Sequence, residues 1–264
     1  MRTSTFCRLG DLAMLPQEVL QLILSGARAD PVRILNSGFK DLFDRFNTEL
    51  FIGNHDIRAY PSDIGSIITN VTENSPALTS ITLRHVGKLA ILQFSPSLAV
   101  LTGLHTLNLS ENDLGSAGAS SLAPSLAVLT GLHTLHLSEN DLGSAGALSS
   151  LAPSLMMLTG LVTLDLSRNK LGSAGASSLA PSLMMLTGLH TLDLSWNKLG
   201  SAGASSLAPS LMMLTGLVTL DLSSNDLGSA GASSLAPSLM MLTGLVTLDW
   251  RSYSWRKEVL FDWD

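Results

Sequence analysis

At 264 residues and 45% hydrophobic content the chain can bury a large core, and its formal net charge of -6 argues against a nucleic-acid ligand, whose phosphates need a surplus of Lys and Arg. A single cysteine, Cys7, excludes an intramolecular disulfide and a multi-cysteine metal site, so an intracellular location, cytoplasmic or nuclear, is the default. Asp11 and Glu18 interrupt the apolar stretch after Arg2 and Arg8, which leaves no readable signal peptide, and Pro124 with its neighbouring glycines and serines breaks the uncharged window 114–138, so no membrane span is expected.

From residue 12 the chain reads "LAMLPQEVLQLILSG", in which Leu15-Pro16 precedes an apolar helical run holding Val19, Leu20, Ile23 and Leu24. A second helical run passes through Phe39, Leu42, Phe43 and Phe46, and residues 1–75 are expected to form a small helical N-terminal segment. Leu15, Pro16 and Glu18 match the "LPxE" opening of the F-box, and residues 13–52 resemble that family. The resemblance implies that Leu15, Pro16, Val19, Leu20 and Ile23 dock on the linker subunit of a cullin-based ubiquitin ligase while the repeats that follow select its substrate. The segment departs from the pattern in the short stretch between its helices and in Phe39 or Phe43 standing where a tryptophan is usual. A plain helical cap on the first repeat is the other reading.

A degenerate first repeat spans 77–100, with Leu78, Ile81 and Leu83 at strand spacing. The motif from Leu101 to Val128 then returns almost letter for letter from Leu129, Leu158, Leu186 and Leu214, and a fixed period of 28 residues signals a solenoid. Within a copy, Leu107 and Leu109 alternate with Thr106, Asn108 and Ser110, the period of a half-buried strand. Ala119, Leu122, Ala123 and Leu126 recur at helical spacing. The pattern L-x-x-L-x-L-x-x-N-x-L-G-x-x-G-A-x-x-L resembles the leucine-rich repeat of the ribonuclease-inhibitor-like subclass. The resemblance implies an α/β solenoid over 76–249, with a curved parallel sheet on the concave face and helices on the convex face. It also implies a buried ladder of amides formed by Asn112, Asn140, Asn169, Asn197 and Asn225. Pro124 and its copies stand where a helix belongs, so each helix either starts late, near Ser121, or is bent.

Leu148 is an extra residue and is expected to bulge the second helical return while sparing the strand register. The methionine pairs from Met156/Met157 to Met240/Met241 follow the helical return; because Leu151, Leu155 and Leu158 fill the core face, part of each pair is expected at the convex surface or helix flank, with core filling as the main role and a soft partner-binding stripe as the alternative. After Asp249 the repeat fails, and 250–264, with three of the four tryptophans, is read as an aromatic cap in preference to a frayed tail.

No catalytic constellation, phosphate loop, cofactor motif or metal-ligand cluster is present, so a non-enzymatic module that binds a protein partner is expected. Its candidate site is the concave strand face. One exposed strand position reads Asn108, His136, Asp165, Asp193, Asp221 and Asp249, on strands about 4.8 Å apart. Neighbouring carboxylates about 5 Å apart repel by about 0.8 kcal/mol in water, and a basic or polar partner relieves that repulsion. The position before each ladder asparagine varies most and supplies Arg168 and Trp196 as anchors. The competing reading is one solvated Asp copied by duplication. A ubiquitin-ligase adaptor is the second function considered, and a GTPase-activating or ribonuclease-inhibitor-like regulator the third, on fold analogy alone.

Overall fold

The computed structural model describes residues 78–143 and 145–251, with two short strand segments at 7–8 and 49–52. The described elements follow in the order β1 (Cys7–Arg8), β2 (Glu49–Ile52), β3 (Ser80–Leu83), α1 (Lys88–Leu98), β4 (Thr106–Asn108), α2 (Gly115–Leu126), β5 (Thr134–His136), α3 (Ala145–Leu155) and β6 (Thr163–Asp165). They continue as α4 (Gly172–Met185), β7 (Thr191–Asp193), α5 (Gly200–Leu211), β8 (Thr219–Asp221), α6 (Gly228–Met241) and β9 (Thr247–Asp249). The strands form one parallel sheet in sequence order, with Thr106, Thr134, Thr163, Thr191, Thr219 and Thr247 aligned in register. These are the strand starts that the alternation predicts. From β3 onward a helix separates each strand from the next, so the described repeats form an open α/β solenoid with strands on one face and helices on the other.

The sheet begins upstream of residue 76. In β2 Leu50 and Ile52 pair in register with Ile81 and Leu83, and Cys7–Arg8 pairs with Leu50–Phe51. A helical reading therefore does not hold at these six residues. The physical reason is that "ELFI" is a short apolar run that sets Leu50 and Ile52 opposite Ile81 and Leu83 of the "SITL" strand beside it.

The core is a column of leucines. Leu107 and Leu109, and their copies through Leu220 and Leu222, are buried between the sheet and the helical leucines exemplified by Leu122 and Leu126. A fully buried leucine contributes roughly 1.5–3 kcal/mol, so each repeat is held mainly by its contacts with the two beside it.

Two polar ladders run through this column. Asn169 Nδ2 donates to the carbonyls of Leu137, Leu166 and Ser167 at 2.8, 3.0 and 3.1 Å, and its Oδ1 accepts the amides of Asn140 and Leu142 at 3.0 and 3.3 Å. Asn112, Asn140, Asn197 and Asn225 are buried at the same place and donate in the same way to carbonyls of their own and the preceding repeat. They pair the backbone groups of the loop that leaves each strand, which burial would otherwise orphan. The second ladder joins helices: Ser125, Ser154, Ser182, Ser210 and Ser238 donate at 2.6–2.8 Å to Ser95, Ala123, Ala152, Ala180 and Ala208, the residue before the proline of the preceding repeat.

The helices start at Gly115, Gly172, Gly200 and Gly228, so the late start near Ser121 is not what occurs and each proline lies inside its helix. Pro124 is tolerated because Ser120, whose carbonyl loses its helical donor, lies on the exposed side of the helix, open to solvent. Gly172 adopts φ 61, a left-handed turn that opens the helix. At Gly203 an added Cβ would meet Leu199 Cβ at 3.0 Å and Ala176 Cβ at 3.3 Å, so hydrogen there lets neighbouring helices approach.

The extra residue of the second copy leaves the strands alone, since Thr134 still faces Thr163. Leu148 is fully buried three residues before Leu151, the place that Ala119, Ala176 and Ala204 take relative to their leucines and Ile91 takes relative to Phe94. The adjustment falls instead on the turn before the helix, where Gly143 lacks the positive φ of Gly115, Gly172, Gly200 and Gly228.

The methionines correct the expectation of core filling. Met157, both members of the 184/185, 212/213 and 240/241 pairs, and Val100 and Val128 of the earlier copies are exposed. Leu151, Leu155 and Leu158 and their copies already occupy the inward face, which leaves these side chains outside.

Candidate functional site

Strand register places Asn108, His136, Asp165, Asp193, Asp221 and Asp249 side by side across β4 to β9, all half-buried. Each Asp or Asn in the row also folds back on its own chain. Oδ1 accepts the backbone amide two residues on: Ser110 from Asn108 at 3.0 Å, Ser167 from Asp165 at 2.9 Å, Ser195 from Asp193 and Ser223 from Asp221 at 2.8 Å, and Arg251 from Asp249 at 3.1 Å. This is an Asx turn, and it explains why only Asp and Asn alternate there with His136.

The four carboxylates are electrostatically unequal. Asp165 Oδ2 lies 3.5 Å from His136 Nδ1, and although burial pushes its pKa up, the His136 and Ser167 hydrogen bonds hold it below the usual carboxylate value. Asp249 is held low by Arg251, whose guanidinium grips both oxygens at 3.1 and 2.6 Å. Asp193 is pushed up by burial, with a further contribution from the charges of Asp165 and Asp221 on either side. Among the described residues neither Asp193 nor Asp221 is in an ion pair, so the unneutralised charge of the row is concentrated on β7 and β8.

Beside that row the chain turns sharply. Glu111, Glu139, Arg168, Trp196 and Ser224 all adopt positive φ between 55 and 62. Arg168 sits 5.0 Å over the Trp196 ring and 3.6 Å from Glu139, which holds a cation and an exposed indole together at the edge of the Asp row. At the other end Glu111 pairs with Arg84 and His85. One loop position further, Lys170 lies 2.9 Å from Asp141, which raises the lysine pKa.

The structure thus brings together Asp165, Asp193, Asp221, Arg168 and Trp196, and it puts Asn108, His136 and Asp249 in the same row. The Asx role of that row was not legible from the repeat alone. The helical serine ladder was also missed; its signal was a serine recurring three residues after the helical leucine, on the inward face. Leu15, Pro16, Val19, Leu20 and Ile23 lie outside the described residues, as do the tail residues beyond Arg251. Among the described residues no group of three or more His, Cys, Asp or Glu side chains is placed to hold a metal, and no helix is long and apolar enough to cross a membrane.

Comparison with known proteins bears on the fold. The leucine-rich-repeat family model matches residues 101–123, 129–149, 159–180, 187–208 and 215–236. No curated protein matches the chain. Among solved structures, the leucine-rich repeat-containing protein LegL7 from Legionella pneumophila is similar over 82% of this chain and 78% of its own, at 16% identity and a TM-score of 0.47. The Rad7 and Elc1 complex in yeast is similar over 89% and 81%, at 13% identity and a TM-score of 0.35. The five matched segments coincide with the strand, asparagine turn and helix of five successive copies: this chain carries leucine-rich repeats, and the fold they build is a leucine-rich-repeat solenoid.

Proposed function

We propose that the chain is a non-enzymatic protein-interaction module whose concave strand face binds a basic segment of a partner. The observation that carries this reading is the adjacency of two unneutralised carboxylates, Asp193 and Asp221, to the exposed Trp196 with Arg168 beneath it. A partner Lys or Arg between the two carboxylates gains attraction and removes their mutual repulsion, and its aliphatic stem packs on the indole. The test is selection of displayed random dodecapeptides on the full chain. Peptides rich in Lys and Arg should emerge, and Asp193→Asn with Asp221→Asn should weaken them more at low salt than at high salt. Peptides without basic residues, or equal binding to the double variant, would sink the proposal.

A second reading rests on "LPQEVLQLIL" and makes the chain an F-box-like substrate adaptor of a cullin-based ubiquitin ligase. In it Leu15, Pro16, Val19 and Ile23 hold the linker subunit and the repeats select the substrate. Mixing the full chain with purified linker at micromolar concentration tests it: complex formation abolished by Leu15→Ala with Pro16→Ala supports the reading, and no complex with the unaltered chain disposes of it.

A further inference from the structure

The distribution of charge is the least expected property of the array. Between Leu89 and Asp249 every Asp, Glu, Lys and Arg falls at one of three positions of the repeat: the strand position of Asp165, the position before the ladder asparagine, and the position after it. Helices α2 to α6 carry none and the rim at which the strands begin carries only the histidines 105, 133 and 190, whereas a small soluble domain ordinarily has charge on about 25–35% of its surface positions. On that uncharged side the helical faces are Ser, Ala and Pro, and seven exposed methionines line the rim from Met157 to Met241, each 39–80% accessible. Val218 and Val246, exposed just before β8 and β9, continue the same apolar rim.

We infer that this methionine rim is a self-association surface, occupied by a second copy of the same chain related by a two-fold axis. Two arguments select that occupant. A two-fold interface sets a patch against itself, so a patch bearing one sign of charge repels itself and a neutral one does not. The loop edge carries both signs, and there Glu139 and Asp141 already pair with Arg168 and Lys170 within the chain, whereas the methionine rim has no Asp, Glu, Lys or Arg to oppose its own image. The second argument is area. Seven methionines at about half exposure present on the order of 700 Å², close to the roughly 800 Å² per partner of a standard interface and above the 300–600 Å² patch of a typical monomer. Methionine suits a surface that must fit its own image, because its unbranched thioether adapts to the partner's relief.

The experiment is sedimentation equilibrium of the full chain from about 1 to 100 μM, beside Met185→Lys with Met213→Lys and beside a chain ending at Arg251. Each substituted methionine is about half exposed, so the lysine heads reach water in a monomer but face each other across a two-fold contact. Expected are a dimer for the full chain and for the shortened one, and at least a tenfold larger dissociation constant for the lysine variant with unchanged circular dichroism. A monomer throughout for the unaltered chain overturns the inference. So does a dimer that survives the lysines, or one lost only on removing 252–264, which would assign association to the end of the solenoid. If the lysine variant loses its circular dichroism, Met185→Gln with Met213→Gln replaces it and the same outcomes decide.

Discussion

Ser182 Oγ donates to the carbonyl of Ala152, 2.8 Å away across the gap between α3 and α4, and the same carbonyl also accepts the amide of Met156 at 3.1 Å. The hydroxyl therefore ties two repeats through an oxygen that is already satisfied within its own helix. Ser182→Ala should lower stability by about 1 kcal/mol and no more, because no buried acceptor is left unpaired. Urea denaturation measures it, and a loss above about 2 kcal/mol would mean that the hydroxyl does something else.

Asn169 lies in the opposite situation. Asn169→Leu keeps the volume but leaves the buried amides of Asn140 and Leu142 without their acceptor, while the carbonyls of Leu137, Leu166 and Ser167 keep Asn140 Nδ2, Asn197 Nδ2 and Glu139 N, so the expected loss is at least about 2 kcal/mol by the same measurement. Thr163→Val, on the half-exposed strand surface one repeat element away, should stay within about 0.5 kcal/mol and serves as the control.

Asp193→Asn separates the Asx turn from the charge, since the amide oxygen still accepts Ser195 N as Asn108 accepts Ser110 N. The folded pKa of Asp193 is raised, so its protonated form is favoured in the fold, and its contribution is fully present below the unfolded carboxylate pKa and lost as pH rises through the folded one. At pH 7 the substitution should therefore stabilise, by about 0.5 kcal/mol for this half-buried group, and the gain should vanish in acid. Asp165 and Asp249 have the opposite sign: their lowered pKa values give stability above the unfolded pKa that is lost as pH falls through the folded one. Thermal scans of Asp193→Asn and Asp165→Asn between pH 3 and 7 should diverge accordingly; parallel curves would contradict the assignment.

Trp196 holds a left-handed backbone conformation, φ 57, that an indole-bearing residue seldom adopts. Trp196→Gly should consequently be more stable than Trp196→Ala by about 1 kcal/mol, although both lose the stacking on Arg168. Equal melting temperatures for the two variants would show that the loop relaxes when the side chain is cut back.

Leu148→Ala should cost about 2–4 kcal/mol by emptying a fully buried place, whereas deleting Leu148 restores the 28-residue copy and seats Ala147 there, as Ala119 and Ala176 sit in their copies. The deletion is expected to be the milder change in urea, and the reverse order would refute the placement.

The parts of the fold that were legible share one property: they repeat at the period of their element. Leu107 and Leu109 alternate, so the strand starting at Thr106 and its copies could be placed to the residue. Features set by competition between neighbours were not legible in this way. That Leu151, Leu155 and Leu158 fill the inward face, and so push part of each methionine pair outward, was readable; that both members of the 184/185, 212/213 and 240/241 pairs are excluded was not. Pro124 argues against a helix when read alone, but its exposed side of α2 tolerates a missing donor. The Asp row was legible as a row; that each Oδ1 is turned back onto the amide two residues later depends on the left-handed loop that follows, which composition does not announce.

Each rung of the asparagine and serine ladders ends on the same atom of the repeat immediately before it. Excising residues 186–213 joins copies whose facing atoms are already the right ones, and inserting a further copy does the same. Array length can thus change in whole steps of one copy, lengthening or shortening the strand face while the ladder bonds at the new junction stay the same.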